Sequence, residues 1–363
     1  MLITDIPHSP LPSTGRWPQS YLDDIHFWLA TNAGSTPYDN VIINGDFDID
    51  QRLSSGGAPG TTLYTVDRWR TAQGAGCTVF AQRFLIGSGA NYAALGLPYE
   101  ARSFLNTAVT VAPLDSTLSQ RIESVNTLAG KQVVLSFFAR WSGAAILPLA
   151  VTVVQNFGTG GGAAAPVTTV VSTFNIPAAS ANYSRYSFVF NIPTIEGKAI
   201  RTPATGVYDD YLELIFTLPA ANLGTLAMTG VDLRAGGSPA DYSPTAPDLT
   251  LARCLRFYQK SYNEPVAPGA ITTKGSVMTR AGAANATLAF PGGFHAPLRA
   301  QPVLTLYSPA TGAAGNVSNL TGPANIVVNS TDPSEKTWGV IVLAAAPAAI
   351  DMIRMQWVAD AEL

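Results

Sequence analysis

Charged side chains, cysteine and histidine are scarce in this 363-residue sequence. Asp, Glu, Lys and Arg together make up 12% of the residues, whereas 47% are hydrophobic, and there are 2 cysteines and 3 histidines. A formal net charge of -3 without a basic cluster argues against a surface that coats nucleic acid. A monomer with so few charges has difficulty covering its surface with polar groups, so the composition predicts an oligomer.

The few cysteines and histidines also limit the chemistry of the chain. Cys77 and Cys254 belong to no CxxC or CxxH unit, which argues against a zinc site and leaves either two buried thiols or a disulfide. His8, His26 and His295 accompany neither a G-x-S-x-G motif nor a cysteine–histidine pattern. Nucleophilic catalysis therefore has no support in the sequence.

Long hydrophobic runs are missing as well. No segment reaches the 18 consecutive apolar residues of a membrane span. The N-terminal MLITDIPHSP has neither the basic region nor the apolar core of a signal peptide. We expect no membrane insertion and no export directed by the chain itself.

Glycine and proline are plentiful, with 32 and 26 residues, and they separate short segments with strand-like alternation. The clearest is 133–141, VVLSFFARW, in which Val133, Leu135, Phe137, Ala139 and Trp141 share one face. Eight or more such segments before residue 235 predict a β-sandwich, and a second series follows from residue 276. The run Gly158–Gly162 predicts a mobile loop, and it lacks the lysine of a phosphate-binding loop.

A strand and a helix join the two series. The segment 225–234 alternates like a half-buried strand, and five glycines and prolines follow it. Leu249 begins a helix that Thr245 or Asp248 can cap. Its apolar face is predicted from residues at helical spacing, which are Leu251, Leu255, Tyr258 and Tyr262.

Seven short motifs occur in one order along the chain. They are INGDF (43–47), QR (51–52), VDRW (66–69), VDL (231–233), ADY (240–242), RCLRFY (253–258) and ADAEL (359–363). In this order they resemble the junction region of many bacteriophage tail-fibre and related virion proteins. The resemblance covers roughly residues 41–363 and implies a jelly-roll domain similar to carbohydrate-binding modules, followed by a short helix.

The expected fold is therefore all-β, a jelly-roll β-sandwich followed by a short helix and a second, smaller β-sandwich. The predicted divisions are an N-terminal arm (1–40), the jelly roll (41–245), a linker helix (246–263) and a C-terminal tip domain (264–363). In the arm, Pro18 is predicted to begin a short helix whose apolar side docks either onto this protein's own β-domain or onto another virion component, and attachment to the virion is the prediction we favour. The residues of that side are Tyr21, Leu22, Ile25, Trp28 and Leu29.

Carboxylates supply the only metal and catalytic candidates. In a strand Asp46, Asp48 and Asp50 share one face, which is either a solvated surface or a cation site, although the spacing excludes an EF-hand. The resemblance implies a structural calcium near Asp46 and Asp232. For hydrolysis the candidates are acidic side chains near two predicted strands, namely Glu123, Asp209, Asp210 and Glu213. Adjacent aspartates point to opposite faces of a strand, so we expect no enzyme and no cofactor besides calcium.

Aromatic side chains are the candidate platforms for sugar rings. Tyr64, Trp69, Tyr92, Tyr99 and Trp141 are possible platforms, but most aromatics of a sandwich lie in its core. The VDRW motif indicates a structural role instead, with an ion pair between Asp67 and Arg68 stacked on Trp69.

These features predict a structural component of a bacteriophage virion, a tail-fibre or tail-spike-like homotrimer. Its arm would bind other virion proteins of the tail or near the portal, and its β-domains would bind a receptor or glycan on the host surface. Such particles assemble in the host cytoplasm, so the predicted location is the virion. The alternatives are a head fibre or decoration protein, and a depolymerase of capsule polysaccharide.

Overall fold

The computed structural model describes residues 40–54, 61–87, 91–203, 207–281, 287–289, 293–322, 325–348 and 351–363. The contacts of the chain divide it into two units, residues 1–40 and residues 41–363. The predicted helix of the arm, with Tyr21, Leu22, Ile25, Trp28 and Leu29, lies outside the described residues. No helix in the described ranges is long and apolar enough to cross a membrane.

The first lobe of the second unit is built from antiparallel strands. In chain order they are β1 (Thr62–Val66), β2 (Trp69–Ala72), β3 (Thr78–Leu85), β4 (Ser103–Val111), β5 (Ser116–Glu123), β6 (Gln132–Trp141), β7 (Leu147–Asn156), β8 (Val167–Ile176), β9 (Ser184–Asn191), β10 (Tyr211–Leu218) and β11 (Gly224–Ala235). One sheet has the order β1-β2-β5-β10-β7-β8 and the other β3-β4-β11-β6-β9. The predicted all-β, jelly-roll architecture is confirmed.

The core of this lobe lies between the two sheets. Alternate residues of β10, Leu212, Leu214 and Phe216, are fully buried against Phe137 of β6 and Trp69 of β2. The predicted inward face of 133–141 is correct, because all five of its apolar residues are buried in this cluster. Burial of large side chains from both sheets is the main stabilising contribution in such a sandwich.

In the described part of the connections there are two short helices. Helix α1 (Tyr92–Leu95) covers the outer face of the five-stranded sheet together with Tyr242, whose ring packs edge-on against Phe138 at 5.7 Å. Helix α2 (Pro247–Leu255) follows β11 as predicted, but its N-cap residue is Ala246 and it has no side-chain cap. The side chain of Ala246 has no acceptor for the free N–H groups of the first turn, so the predicted caps at Thr245 and Asp248 are wrong.

The predicted helix face is also wrong beyond Leu255. The helix ends there, and Tyr258 begins strand β12 (Tyr258–Lys260), which pairs with a strand that contains Asp360. Tyr262 follows that strand instead of lying on the helix. Backbone pairing with a segment about a hundred residues away therefore overrides the helical spacing of the tyrosines.

The remaining strands form the C-terminal lobe. They are β13 (Val277–Arg280), β14 (Thr287–Ala289), β15 (Val303–Tyr307), β16 (Asn316–Asn319), β17 (Ile326–Thr331), β18 (Val340–Leu343) and β19 (Met352–Asp360). Strand β19 is central, because it pairs with β12, β13, β15 and β16. A separate core includes Trp338 and Trp357, whose rings lie 5.6 Å apart.

Candidate functional site

Motifs that are far apart in the sequence meet where the two lobes join. The guanidinium of Arg52 donates to Asp360 at 2.8 Å and to Glu362 at 3.0 Å. It also lies over the rings of Tyr64 and Tyr258, with its carbon 5.0 and 3.9 Å from their centroids. Charge-assisted hydrogen bonds and cation–π contacts therefore connect the C-terminal ADAEL segment to the first lobe.

Arg68 is the second cation of this junction. It lies in the tight turn between β1 and β2 with φ 70 and is 1% exposed. Its guanidinium donates to Glu362 and to the backbone oxygen of Arg121, and it stacks 3.4 Å from the centroid of Phe257. Burial lowers the pKa of Arg68 to about 10 because it disfavours the charged form.

The predicted ion pair between Asp67 and Arg68 is replaced by another arrangement. Asp67 accepts hydrogen bonds from Gln51, the shorter at 2.7 Å, and its nearest arginine is Arg52 at 3.9 Å. Burial raises the pKa of Asp67 to about 6. The positive φ of Arg68 turns the guanidinium towards Glu362, so the VDRW motif connects the lobes instead of forming a local pair.

The three aspartates after Gly45 do not share a strand face, so that expectation is wrong. Phe47 has a positive φ of 57, which is incompatible with a regular strand. Asp46 accepts from the Tyr242 hydroxyl at 2.7 Å, Asp48 pairs with Arg102 at 2.8 Å, and Asp50 accepts from a backbone N–H at 2.9 Å. Each carboxylate thus has its own partner.

Asp232, the other predicted calcium ligand, forms an ion pair with Arg234 on the same strand. Asp46 is committed to Tyr242 instead. Across the ranges that the structure describes, no group of three or more histidine, cysteine, aspartate or glutamate side chains could hold a metal ion. The structural calcium at Asp46 and Asp232 stays a prediction.

The buried Asp46 makes the free energy of unfolding depend on pH. Burial raises its pKa from the ordinary 3.8 to about 6, and the neighbouring Asp48 adds to the rise while Arg102 opposes it. The folded state therefore binds a proton at Asp46 more readily than the unfolded state does. The protonated Asp46 stabilises the fold fully below pH 4, and this stabilisation is lost as the pH rises through 6.

The variant Asp46→Asn keeps an acceptor for Tyr242 without the charge. We expect the variant to exceed the wild type in unfolding free energy by about 2 kcal/mol at pH 8 and by almost nothing at pH 4.

Urea unfolding at both pH values measures this difference, with the exposed Asp241→Asn as the control. An equal effect of Asp46→Asn at pH 4 and pH 8 would contradict the raised pKa.

Two cavities flank Leu363 at the junction. Cavity A has a volume of about 820 Å³, and its lining includes Glu123, Asn126, Arg201, Tyr208, Asp210 and Arg256. Cavity B has a volume of about 620 Å³, and its lining includes Arg121, Asn156, Asp209, Tyr211, Arg299 and Gln301. Leu363 lines both, and its backbone oxygen accepts from Tyr64 at 3.0 Å and from Arg121 at 2.8 Å.

The end of the six-stranded sheet supplies some of the polar residues of the two cavities. Glu123 of β5, Tyr211 of β10 and Asn156 of β7 are neighbours across three strands. Glu123 accepts two hydrogen bonds from Arg256, both 3.0 Å long, and lies 3.7 Å from Arg299. The hydrogen bonds to Glu123 raise the pKa of Arg256, whereas burial lowers that of Arg299.

Cavity B has polar atoms without hydrogen-bond partners. They are buried and include Nε of Arg121, Nε of Arg299 and Oδ1 of Asp209, for which no described residue supplies a partner. Salt-bridge contacts of 3.5 and 3.7 Å still bring a carboxylate near each arginine. The side chains of Arg121, Arg299 and Asp209 make the lining of cavity B polar.

The glycine-rich run is a loop, contributes Thr159 to the lining of cavity B and is hydrogen-bonded to the segment that contains Arg201, and its predicted mobility stays a prediction. Gly160 donates to the oxygen of Arg201 at 3.2 Å, and Arg201 donates to Phe157 at 3.0 Å. Thr159 lines cavity B and donates to Asp209. A side chain at Gly160 would place its Cβ 2.2 Å from the backbone oxygen of Thr202, so only glycine permits this close approach.

Of the predicted carboxylates, the structure brings Glu123 and Asp210 into cavity A and Asp209 into cavity B. Asp210 accepts from the N–H of Val125 at 2.8 Å. Glu213 lies outside both linings and is held by Arg70 at 3.1 Å.

Most predicted aromatic platforms are unavailable. Trp69 and Trp141 are 0% and 1% exposed and belong to the core, and Tyr64 is occupied by Arg52 and Leu363. Tyr92 and Tyr99 pack against each other at 5.6 Å and line neither cavity. Tyr208, which is 75% exposed, was not among the predicted platforms, although it directly precedes the acidic pair Asp209–Asp210.

No protein-family model matches the sequence, and no curated protein matches it. Solved structures that resemble the chain include the enzymatically active domain of tailspike protein 4 from bacteriophage CBA120. The identity is 15% and the TM-score 0.33, and the match covers 55% of this chain and 22% of that chain. The CBM22-1 xylan-binding domain of Paenibacillus barcinonensis Xyn10C shows 11% identity and a TM-score of 0.30, with 50% and 99% covered.

A third is the N-terminal cellulose-binding domain of Cellulomonas fimi β-1,4-glucanase C, with 15% identity, a TM-score of 0.26, and 38% and 80% covered. At these levels the similarities assign no ligand to this chain.

Proposed function

We propose that this protein is a non-enzymatic structural component of a bacteriophage virion, and that it binds a glycan of the host surface at the lobe junction. The observation that carries the glycan proposal is the exposed Tyr208 ring in cavity A, beside the hydrogen-bonding groups of Asn126 and Arg201. Sugar rings stack their apolar faces on aromatic rings, and their hydroxyls bind planar polar side chains. The volume of about 820 Å³ falls in the range of small-molecule sites.

Replacing Tyr208 by alanine is expected to weaken glycan binding at least tenfold, because the stacking surface is lost. A glycan array followed by titration calorimetry on the best-bound oligosaccharide measures the change. Tyr99→Ala is a matched control, because that ring is 77% exposed and lines neither cavity. Equal affinities of the Tyr208→Ala variant and the wild type would place glycan binding elsewhere or exclude it.

The virion part of the proposal is supported by the resemblance of the ordered motifs, four of which (QR, VDRW, RCLRFY and ADAEL) meet at the junction described above. In this proposal a trimer is attached through residues 1–40 and presents three copies of the site, so that weak affinities multiply. We expect full-length protein and a variant of residues 41–363 both to have the mass of a trimer in light scattering. Monomers in both preparations would contradict the trimeric fibre and favour a decoration protein.

A capsule depolymerase is the second candidate, because Glu123 and Asp210 both line cavity A. A glycosidase needs one carboxyl group that is free to protonate the glycosidic oxygen. Glu123 and Asp210 already accept hydrogen bonds from Arg256 and from the Val125 N–H. The non-enzymatic proposal therefore predicts no release of reducing ends from host polysaccharide. Release by the wild type that is lost in the Glu123→Gln variant would favour the enzyme.

A further inference from the structure

Arg201 is the accessible cation of cavity A that lacks a carboxylate partner. Arg256, the other arginine of the lining, is neutralised by Glu123 through two hydrogen bonds of 3.0 Å. Asp210 is buried and accepts from the backbone of Val125. Among the described residues, no carboxylate lies within ion-pair distance of the exposed Arg201 side chain.

The backbone of Arg201 is fixed although its side chain is exposed. Its N–H donates to Phe157 at 3.0 Å, and its oxygen accepts from Gly160 at 3.2 Å. The close approach of Gly160 to the oxygen of Thr202 sets the position of the segment Arg201–Thr202, which lines cavity A. An arginine on a fixed backbone gives up less freedom when it binds a ligand, which favours recognition of a planar anion.

We propose that cavity A takes a sugar that carries a carboxylate, of the uronic or sialic acid class, and this inference rests on the glycan-binding function proposed above. The ring of the sugar stacks on Tyr208 while its carboxylate receives two hydrogen bonds from Arg201. The protein as a whole has a net charge of -3 and repels acidic polysaccharides. Binding of an acidic glycan therefore depends on this one cation.

The test compares acidic oligosaccharides with their uncharged methyl esters. The probes are α-1,4-linked trigalacturonate, cellotriuronate and sialyllactose, each with its methyl ester, titrated into the full chain at low salt. We expect at least one acid to bind ten times more tightly than its ester. Arg201→Gln should remove that preference, because it lowers the affinity for the acid much more than the affinity for the ester. Lys198→Gln is the control, because this exposed cation lies on the same segment but outside both linings.

Two glycine variants test whether the glycine-rich run positions Arg201. Gly160→Ala forces the Thr202 backbone to move and should lower the preference for the acid, whereas Gly161→Ala meets no atom within 4 Å and should preserve it. Circular dichroism and thermal melting check that both variants fold. Equal preferences in the two variants would contradict the positioning role.

Each result separates the two proposals. If the esters bind as tightly as the acids and Tyr208→Ala abolishes the binding of both, the acidic-sugar inference is overturned and the glycan-binding function is kept. Absence of Tyr208-dependent binding to any acid, ester or array glycan would overturn both.

Discussion

Replacing Arg68 by alanine is expected to lower the free energy of unfolding by about 3–5 kcal/mol, because it removes one of the two buried cations that compensate Glu362 together with the other contacts of a buried side chain. Glu362 would keep Arg52 as a partner at 3.0 Å but lose its contact with Arg68. The stack on Phe257 and the hydrogen bond to the Arg121 backbone would also be lost. Denaturant unfolding measures the change.

Arg140→Ala is the matched control for this experiment. Arg140 also stacks on a ring, Tyr183 at 4.8 Å, and also donates to a backbone oxygen, that of Ala181 at 2.9 Å. Among the described residues it has no ion-pair partner, and its hydrogen bond is exposed, so its loss should cost about 1 kcal/mol or less. Similar losses in the two variants would mean that the pairing with Glu362 contributes little to stability.

Gly45→Ala is expected to destabilise the protein by about 3 kcal/mol, because the added methyl group meets backbone that cannot move aside. Its Cβ would lie 2.1 Å from the oxygen of Val231. The N–H of Val231 donates to the oxygen of Gly45 at 3.0 Å, so a shift of either segment also breaks this hydrogen bond. The INGDF motif thus lies directly against β11.

Gly87→Ala serves as the control, because a Cβ there meets no atom within 4 Å and the backbone does not have a left-handed φ. Thermal unfolding of both variants measures the difference. A melting temperature of Gly45→Ala equal to that of Gly87→Ala would show that the Val231 contact can relax at no cost.

The sequence predicted the strands of the sandwich well, because alternation of apolar residues is a local pattern. Val133, Leu135 and Phe137 can reach the core only if their face points inwards. The end of helix α2 was missed because Tyr258 fits helical spacing, whereas its partner Asp360 cannot be identified from nearby residues. Similarly, the positive φ of Phe47 that separates the three aspartates has no local signature in a run that alternates like a strand.

The candidate site was predicted only in part. The acidic pair Asp209–Asp210 marked the right segment, since both residues line the cavities. For the aromatic residues, the sequence did not show which side chains are buried and which are exposed. The tryptophan of VDRW, Trp69, is 0% exposed and Tyr208 is 75% exposed, although both adjoin charged residues in the sequence. Glu362 accepts a hydrogen bond from Arg52, which lies 310 positions earlier in the sequence. Contacts between such distant motifs depend on the complete fold.

The central place of β19 has a consequence for the order of folding. This strand pairs with segments that begin as early as Tyr258, and residues 359–363 then bind Arg52 and Arg68. The sandwich strands are synthesised first and contain their own core, whereas the C-terminal lobe cannot close before residues 352–360 leave the ribosome. Because Leu363 lines both cavities, a chain interrupted within β19 would lack part of both linings, and the proposed binding site would be incomplete.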